Sequence, residues 1–226
     1  MKIGIIVAME KELKLLLPLI SDKKEECHNN FAFTSGQIGQ HDIIAMQCGI
    51  GKVNSAIGTL TMLDNYHPEI VINTGVAGGA DASMHVLDLL ISTGISYHDV
   101  WCGPGTQYGE ASGYPLYFES DKRFADLIPN RPDVKRGLIC SGDKFIASIE
   151  EVQAIQKAFP EVLAVDMESA TIAQVCYLRK VPVLVMRVIS DSPGASKDNI
   201  VEYNDFWQDA PAHTFNLVQD LLTKIN

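Results

Sequence analysis

VPVLVMRVISDS, residues 181–192, is the stretch on which the fold turns. Its first six residues are apolar, as a strand buried on both faces requires, and both faces are covered where helices flank a parallel sheet. The run then meets Arg187, Ser190 and Asp191, a cation and an acid at the point where the chain is expected to leave the core. Ligands of open α/β sheets gather at the carboxyl ends of strands, so charges placed there are candidates for chemistry.

Working outward, apolar or alternating runs predict strands over residues 3–8, 31–38, 42–48, 69–75, 86–98, 137–142, 162–166 and 181–190. Helical spacing falls between them. S-I-E-E from Ser148 to Glu151 forms a capping box, and Pro160 stops that helix after Phe159. After Asp166, residues Ile172, Val175, Cys176 and Arg179 recur at helical intervals, and after Pro211 so do Phe215, Val218 and Leu222. Alternating strands and helices argue for an α/β sheet covered on both sides, in one domain over 1–226. The turn-rich segment from Gly103 to Pro115 reads as a functional loop or interface.

Composition narrows the partners. Eighteen Lys and Arg against 28 Asp and Glu leave a formal charge of −10, which repels nucleic-acid backbones and anionic membrane surfaces. Five scattered cysteines without a C-x-x-C pair propose neither a disulfide framework nor a zinc site and fit a reducing cytoplasm. MKIGIIVAMEKEL at the start reads as a first strand rather than a signal peptide, and no apolar run is long enough to span a membrane.

Several motifs are ambiguous taken singly. CGIGKVN (48–54) has G-x-G after a strand, but Asn54 stands where the dinucleotide fingerprint needs its third glycine, and Met46 and Val53 break a P-loop. NTGVAGGA (73–80) either lets backbone N–H groups approach a ligand or simply makes a tight turn. In MEKEL (9–13), Glu10 and Glu12 both suit a helix N-terminus; at most one faces the strand ends, and spacing leaves open which. Asp166 reads as an N-cap, an explanation that covers Glu168 only in part. Phe145 and Ile146 follow another strand end, where an aromatic is more often core than a stacking platform. Together Glu12, Glu168, Arg187 and Asp191 converge on the carboxyl ends of three strands, with Phe145 at a fourth.

MKIGIIVAMEKEL, CGIGKVNSA, INTGVAGGA, YHDV, RGLICSGDKFI, VDMESATIA and RVISDS stand in an order and spacing that resembles the 5′-methylthioadenosine/S-adenosylhomocysteine nucleosidases of the purine nucleoside phosphorylase superfamily. The resemblance covers nearly the whole chain. It implies a single three-layer α/β/α domain with a central mixed, largely parallel twisted sheet. It also implies a homodimer and hydrolysis of the bond between adenine and a 5′-thioribose, with no metal or organic cofactor.

By the same resemblance, Glu12 is the general base for an attacking water that Arg187 and Glu168 help hold. Asp191, steadied by Ser190, is the acid toward purine N7. Glu168 also clamps the ribose hydroxyls beside the Met167 backbone, Phe145 stacks on adenine, and the Ile146 backbone reads its edge. Met9, Ile50 and Tyr203 line the ribose and 5′-thio end, completed by the segment after Tyr97 from the neighbouring subunit.

Val7 and Val76 depart from the Gly and Ser of many relatives, so residue 76 offers no side-chain polar contact to the water. Tyr203 replaces a Phe, and the loop over 192–199 is distinctive. Three rivals stand beside this reading: a phosphorylase, a hydrolase of another adenine nucleoside such as aminodeoxyfutalosine, and a non-catalytic nucleoside-binding module. The first is disfavoured because no Arg precedes Arg123 and Glu12 repels phosphate.

Overall fold

A computed structural model describes residues 1–192, 199–209 and 218–225. In chain order its elements are β1 (Lys2–Val7), α1 (Glu10–Leu16), β2 (Ser21–His28), β3 (Phe31–Ile38), β4 (His41–Gln47), α2 (Lys52–Tyr66), β5 (Ile70–Asn73), β6 (Val76–Gly79), β7 (Leu89–Tyr97), α3 (Lys122–Ala125), β8 (Val134–Ser141), α4 (Ile149–Ala158), β9 (Val162–Asp166), α5 (Ser169–Arg179), β10 (Val183–Asp191) and α6 (Asn199–Asp209). The strands form one mixed sheet in the order β2-β3-β4-β1-β5-β10-β6-β9-β8-β7.

Alternation along the strands sorts the core into two layers. Ile3, Ile5 and Val7 of β1 and Leu184, Met186 and Val188 of β10 face Leu16, Phe206 and the C-terminal residues Val218, Leu221 and Leu222. Ile6 of β1 and Val183, Val185 and Ile189 of β10 face the opposite layer, where α2 brings Met62 and Leu63 and α5 brings Ile172 and Cys176. Gly4 lets α2 come close, because a Cβ there would stand 2.5 Å from the Met62 sulfur. Of the expected C-terminal helix, residues 218–222 are helical; Phe215 lies outside the described residues.

β10 is the strand that organises the sheet. Its first half pairs in parallel with β5, its second half in parallel with β6, and Met186, Arg187 and Val188 also pair antiparallel with β7. Because β7 returns to β10, the strands β10, β6, β9, β8 and β7 close on themselves. This closure is not visible in the sequence, where β6 reads as a turn. Closure also leaves that end of the sheet without a free edge.

Arg187 lies inside β10, as the expected strand over 181–190 has it, and the strand stays buried through Asp191. β2 was also not expected: SDKKEECH is polar and almost wholly exposed, and charges of both signs suit an edge strand that must not pair with another molecule.

The predicted cap at Ser148 is present, with the hydroxyl accepting the Glu151 N–H and the Glu151 carboxylate accepting those of Ala147 and Ser148. Ser148→Ala should destabilise the protein by about 1 kcal/mol, read as a lower urea midpoint with an unchanged slope.

Candidate functional site

The site opens where β5 gives way to β6. β5 ends at Asn73, the chain turns through Thr74 and Gly75, and β6 begins at Val76 while β10 runs on past both. Such a change of neighbour leaves a crevice at the strand ends. A cavity of about 110 Å³ fills it. Glu12, Arg187, Ser190, Asp191, Met9, Ile50, Val76, Phe145, Met167, Glu168 and Tyr203 all line it. Ile146 lies in an adjoining recess that Phe145, Met167 and Asp191 share but Glu12 does not border. Asp191 thus borders both the cavity and the recess, and Glu12 the cavity alone.

The ambiguity at MEKEL is settled by burial. Glu10 points outward to Lys14, whereas Glu12 is 1% exposed. Glu12 Oε2 accepts the N–H groups of Ala8 and Met9 at 2.9 and 2.8 Å, and Oε1 accepts that of Val76 at 3.1 Å. The helix N-terminus and the backbone of β6 thus fix both oxygens, and Val76 contributes through its N–H. Gly75 is required there, since its φ of +146° and a Cβ only 2.4 Å from Glu12 Oε1 would both penalise a side chain. Burial raises the Glu12 carboxyl above its usual range, opposed by these N–H bonds and by the charge of Arg187.

Asp191 Oδ1 accepts from the Ser190 hydroxyl at 2.6 Å, and Oδ2 accepts from the Asn199 amide at 3.3 Å. Burial raises this carboxyl, and the two hydrogen bonds pull it back. Asn199 also donates to the Ile146 carbonyl at 3.1 Å. Nothing in the loop sequence marks Asn199, whose role depends on where α6 begins; residues 193–198 of that loop lie outside the described residues. Phe145 is about half exposed at the cavity rather than in the core, and its ring meets that of Tyr203 edge-on at 5.9 Å. The Tyr203 hydroxyl donates to the Met9 sulfur at 3.2 Å.

Asp166 is corrected. Glu168, not Asp166, occupies the N-cap position of α5. Asp166 is buried and ion-paired with Arg187, the Nη2–Oδ2 distance being 2.8 Å. Glu168 Oε1 accepts the Gly51 N–H at 2.8 Å. Burial pushes the Glu168 carboxyl well up, and the charge of Asp166 adds to that. Among the described residues no cluster of three or more His, Cys, Asp or Glu is arranged to hold a metal ion.

A partly closed mixed sheet with buried acids in a strand-end crevice defines the class, and the family model described as "Phosphorylase superfamily" matches residues 2–223. Within it, the 5′-methylthioadenosine/S-adenosylhomocysteine nucleosidase of Hydrogenovibrio crunogenus is 37% identical over 100% of this chain and 99% of its own. The S. pneumoniae nucleosidase of that name, solved with the transition-state inhibitor MT-ImmA, superposes with a TM-score of 0.93 at 35% identity over 100% of both chains. A futalosine hydrolase mutant of Helicobacter pylori strain 26695 superposes with a TM-score of 0.90 at 27% identity over 99% of both. The chain belongs to the 5′-methylthioadenosine/S-adenosylhomocysteine nucleosidase family.

The raised carboxyls fix a pH dependence. Between the ordinary glutamate value of 4.5 and its raised value, Glu168 holds its proton in the folded protein and loses it in the unfolded one. Its stabilising contribution is therefore complete below that window and is lost as pH rises through the folded value. Urea midpoints measured across a pH series should fall through this window, and Glu168→Gln should flatten the fall.

Proposed function

We propose that the protein hydrolyses the N-glycosidic bond of 5′-thio-substituted adenosines, 5′-methylthioadenosine and S-adenosylhomocysteine, releasing adenine and the 5′-thioribose. The observation that carries the reading is that two buried carboxyls, Glu12 and Asp191, line one cavity, of which Asp191 alone also borders the recess of Ile146. Asp191, whose carboxyl burial raises, is the acid that gives a proton to purine N7 as the base departs and electrons flow into it. Glu12, its oxygens aimed by three backbone N–H groups, takes the proton of the attacking water. Glu168 faces the ribose hydroxyls, and the Glu12 carboxylate sets negative charge against the sugar as it becomes cationic. Phe145 offers its ring face to adenine, and Met9, Ile50 and Tyr203 enclose the 5′-thio group.

Water rather than phosphate is favoured because Arg187 is the only arginine among the cavity residues, and Asp166 already engages it. A phosphate dianion would meet Glu12 with no free guanidinium to offset the repulsion. Adenine should appear in phosphate-free buffer at the rate seen with phosphate. Glu12→Gln and Asp191→Asn should each lower kcat by roughly 10²–10⁴-fold with circular dichroism unchanged. Near-wild-type turnover in either would remove the assignment, and binding of adenosine analogues without any release of base would point to a non-catalytic module. The hydroxyl that Tyr203 places beside Met9 favours testing aminodeoxyfutalosine beside the thio-nucleosides.

The working unit is a homodimer in the cytoplasm. Val53, Ile57 and Leu60 form an apolar stripe along α2 and are 68%, 47% and 38% exposed, close to Ile50 at the cavity. Trp101, in the segment after Tyr97, is exposed as well. A second copy covering both would place that segment against its neighbour's 5′ end. All five cysteines are free thiols, as a reducing compartment keeps them, and no described helix is long and apolar enough to cross a membrane. Ile57→Asp should convert the dimer to monomer in sedimentation and raise KM for thio-nucleosides; a dimer unaffected by this change would place the interface elsewhere.

A further inference from the structure

We propose that Asp166 is a positioning residue, which holds the Arg187 guanidinium in place and takes up its charge, so that of the three carboxyls around that guanidinium, Glu12, Asp166 and Glu168, it is Glu168 that carries a proton in the free site.

The inference starts from an inequality between two acids only two residues apart. Asp166 is supplied with donors on both oxygens. Oδ2 receives Arg187 Nε at 3.2 Å and Nη2 at 2.8 Å together with the Ser169 hydroxyl, and Oδ1 receives the Ser141 hydroxyl. The Ser169 N–H adds a further contact at 3.2 Å. Each partner is fixed in turn: Ser141 accepts the Ala170 N–H at 2.9 Å, and Asn73 accepts Arg187 Nη2 at 2.6 Å while donating to the Ile6 carbonyl at 3.1 Å. A helix cap needs none of this. A carboxylate so furnished has its buried oxygens matched by fixed donors and none to spare for a ligand.

Glu168, by contrast, has one donor, the Gly51 N–H. The groups that face it are Glu12 from α1, Asp166 from β9, Arg187 and Asp191 from β10, the Cys48 thiol that follows β4, and the Tyr203 hydroxyl from α6. Only one of these is a cation. Three buried carboxyls, Glu12, Asp166 and Glu168, share that single guanidinium, and two of them have their oxygens saturated by fixed donors. The proton falls to the third, whose burial raises it further. Rigid placement of Arg187 has its own consequence, since the guanidinium borders the cavity and fixes the polar wall beside the sugar end.

The test separates charge from geometry. Infrared difference spectra of the unliganded protein should show a protonated carboxyl at neutral pH that is missing in Glu168→Gln. In Asp166→Asn, where the neighbouring charge is removed, its titration should move to lower pH by about one pH unit or more. Asp166→Glu keeps the charge but displaces the guanidinium, so the titration should stay near its wild-type pH while kcat for adenine release falls by up to about 10²-fold with KM little changed. Persistence of the infrared band in Glu168→Gln, or an unmoved titration in folded Asp166→Asn, would overturn the proposal. If Asp166→Asn does not fold, Asp166→Glu decides: a titration displaced as far as one pH unit, or an unchanged kcat, would count against it. The kcat arm rests on the hydrolytic reading above; the infrared arm does not, so failure of one can be told from failure of the other.

Discussion

The ion pair between Arg187 and Asp166 is the interaction on which the site depends. A guanidinium inside a fully buried strand is costly unless it is paired and hydrogen-bonded, and replacing such a pair with apolar groups often stabilises a protein. Its retention here is explained by position. Arg187 sits where β10 loses β5 as a neighbour and gains β6, and its partners Asn73, Asp166 and Ser169 come from the end of β5, the end of β9 and the start of α5. One cation therefore pins the strand ends that diverge to form the crevice. Without it, three carboxyls would face one another across a low-dielectric space.

Glu12 illustrates a second way of keeping an acid inside. Its oxygens are met by backbone N–H groups, two from the entry to its own helix and one from β6. Backbone donors cannot swing away, so the carboxylate is aimed by the fold itself, and Gly75 supplies the room. The cost is that β5 and β6 cannot form one uninterrupted strand. The break at Thr74 and Gly75 that the carboxylate needs is also the break that opens the cavity. Site and topology are thus one constraint.

Much of this was legible in the chain. β3 and β9 fall on the residues expected, and the capping box of α4 was read correctly, because hydrophobic period and local capping are short-range signals. What escaped depended on distant partners. β2 carries no apolar pattern, since its stability comes from pairing with β3 alone. β6, with two glycines in four residues, looks like a turn until β9 and β10 are beside it. Asp166 satisfied a local explanation, and its true partner lies 21 residues away. The convergence of Glu12, Glu168, Arg187 and Asp191 could be inferred because each lies in or just beyond the carboxyl-terminal half of a strand. Asn199 could not, because its contacts exist only once α6 has docked.

That docking links Asp191 to Met9 through one helix. α6 presents Asn199 to Asp191 at its first residue and Tyr203 to Met9 one turn later. The same helix is held from outside by Lys11, whose ammonium stands 4.4 Å from the Tyr203 ring centre and 3.9 Å from that of Trp207, a cation–π arrangement that strengthens as water is removed. A ligand group pressing on Tyr203 therefore acts on the same rigid body that carries the amide bonded to Asp191. The Ser190 hydroxyl, with one hydrogen and two acceptors in reach, the Asp191 carboxyl and the Ala77 carbonyl, can donate to the ionised acid or turn to the carbonyl and accept from the protonated one. The Asn199 Nδ2 that faces Asp191 can only donate, and so favours the ionised form. Contacts made at Tyr203 thereby bear on the hydrogen bonds that surround the Asp191 carboxyl.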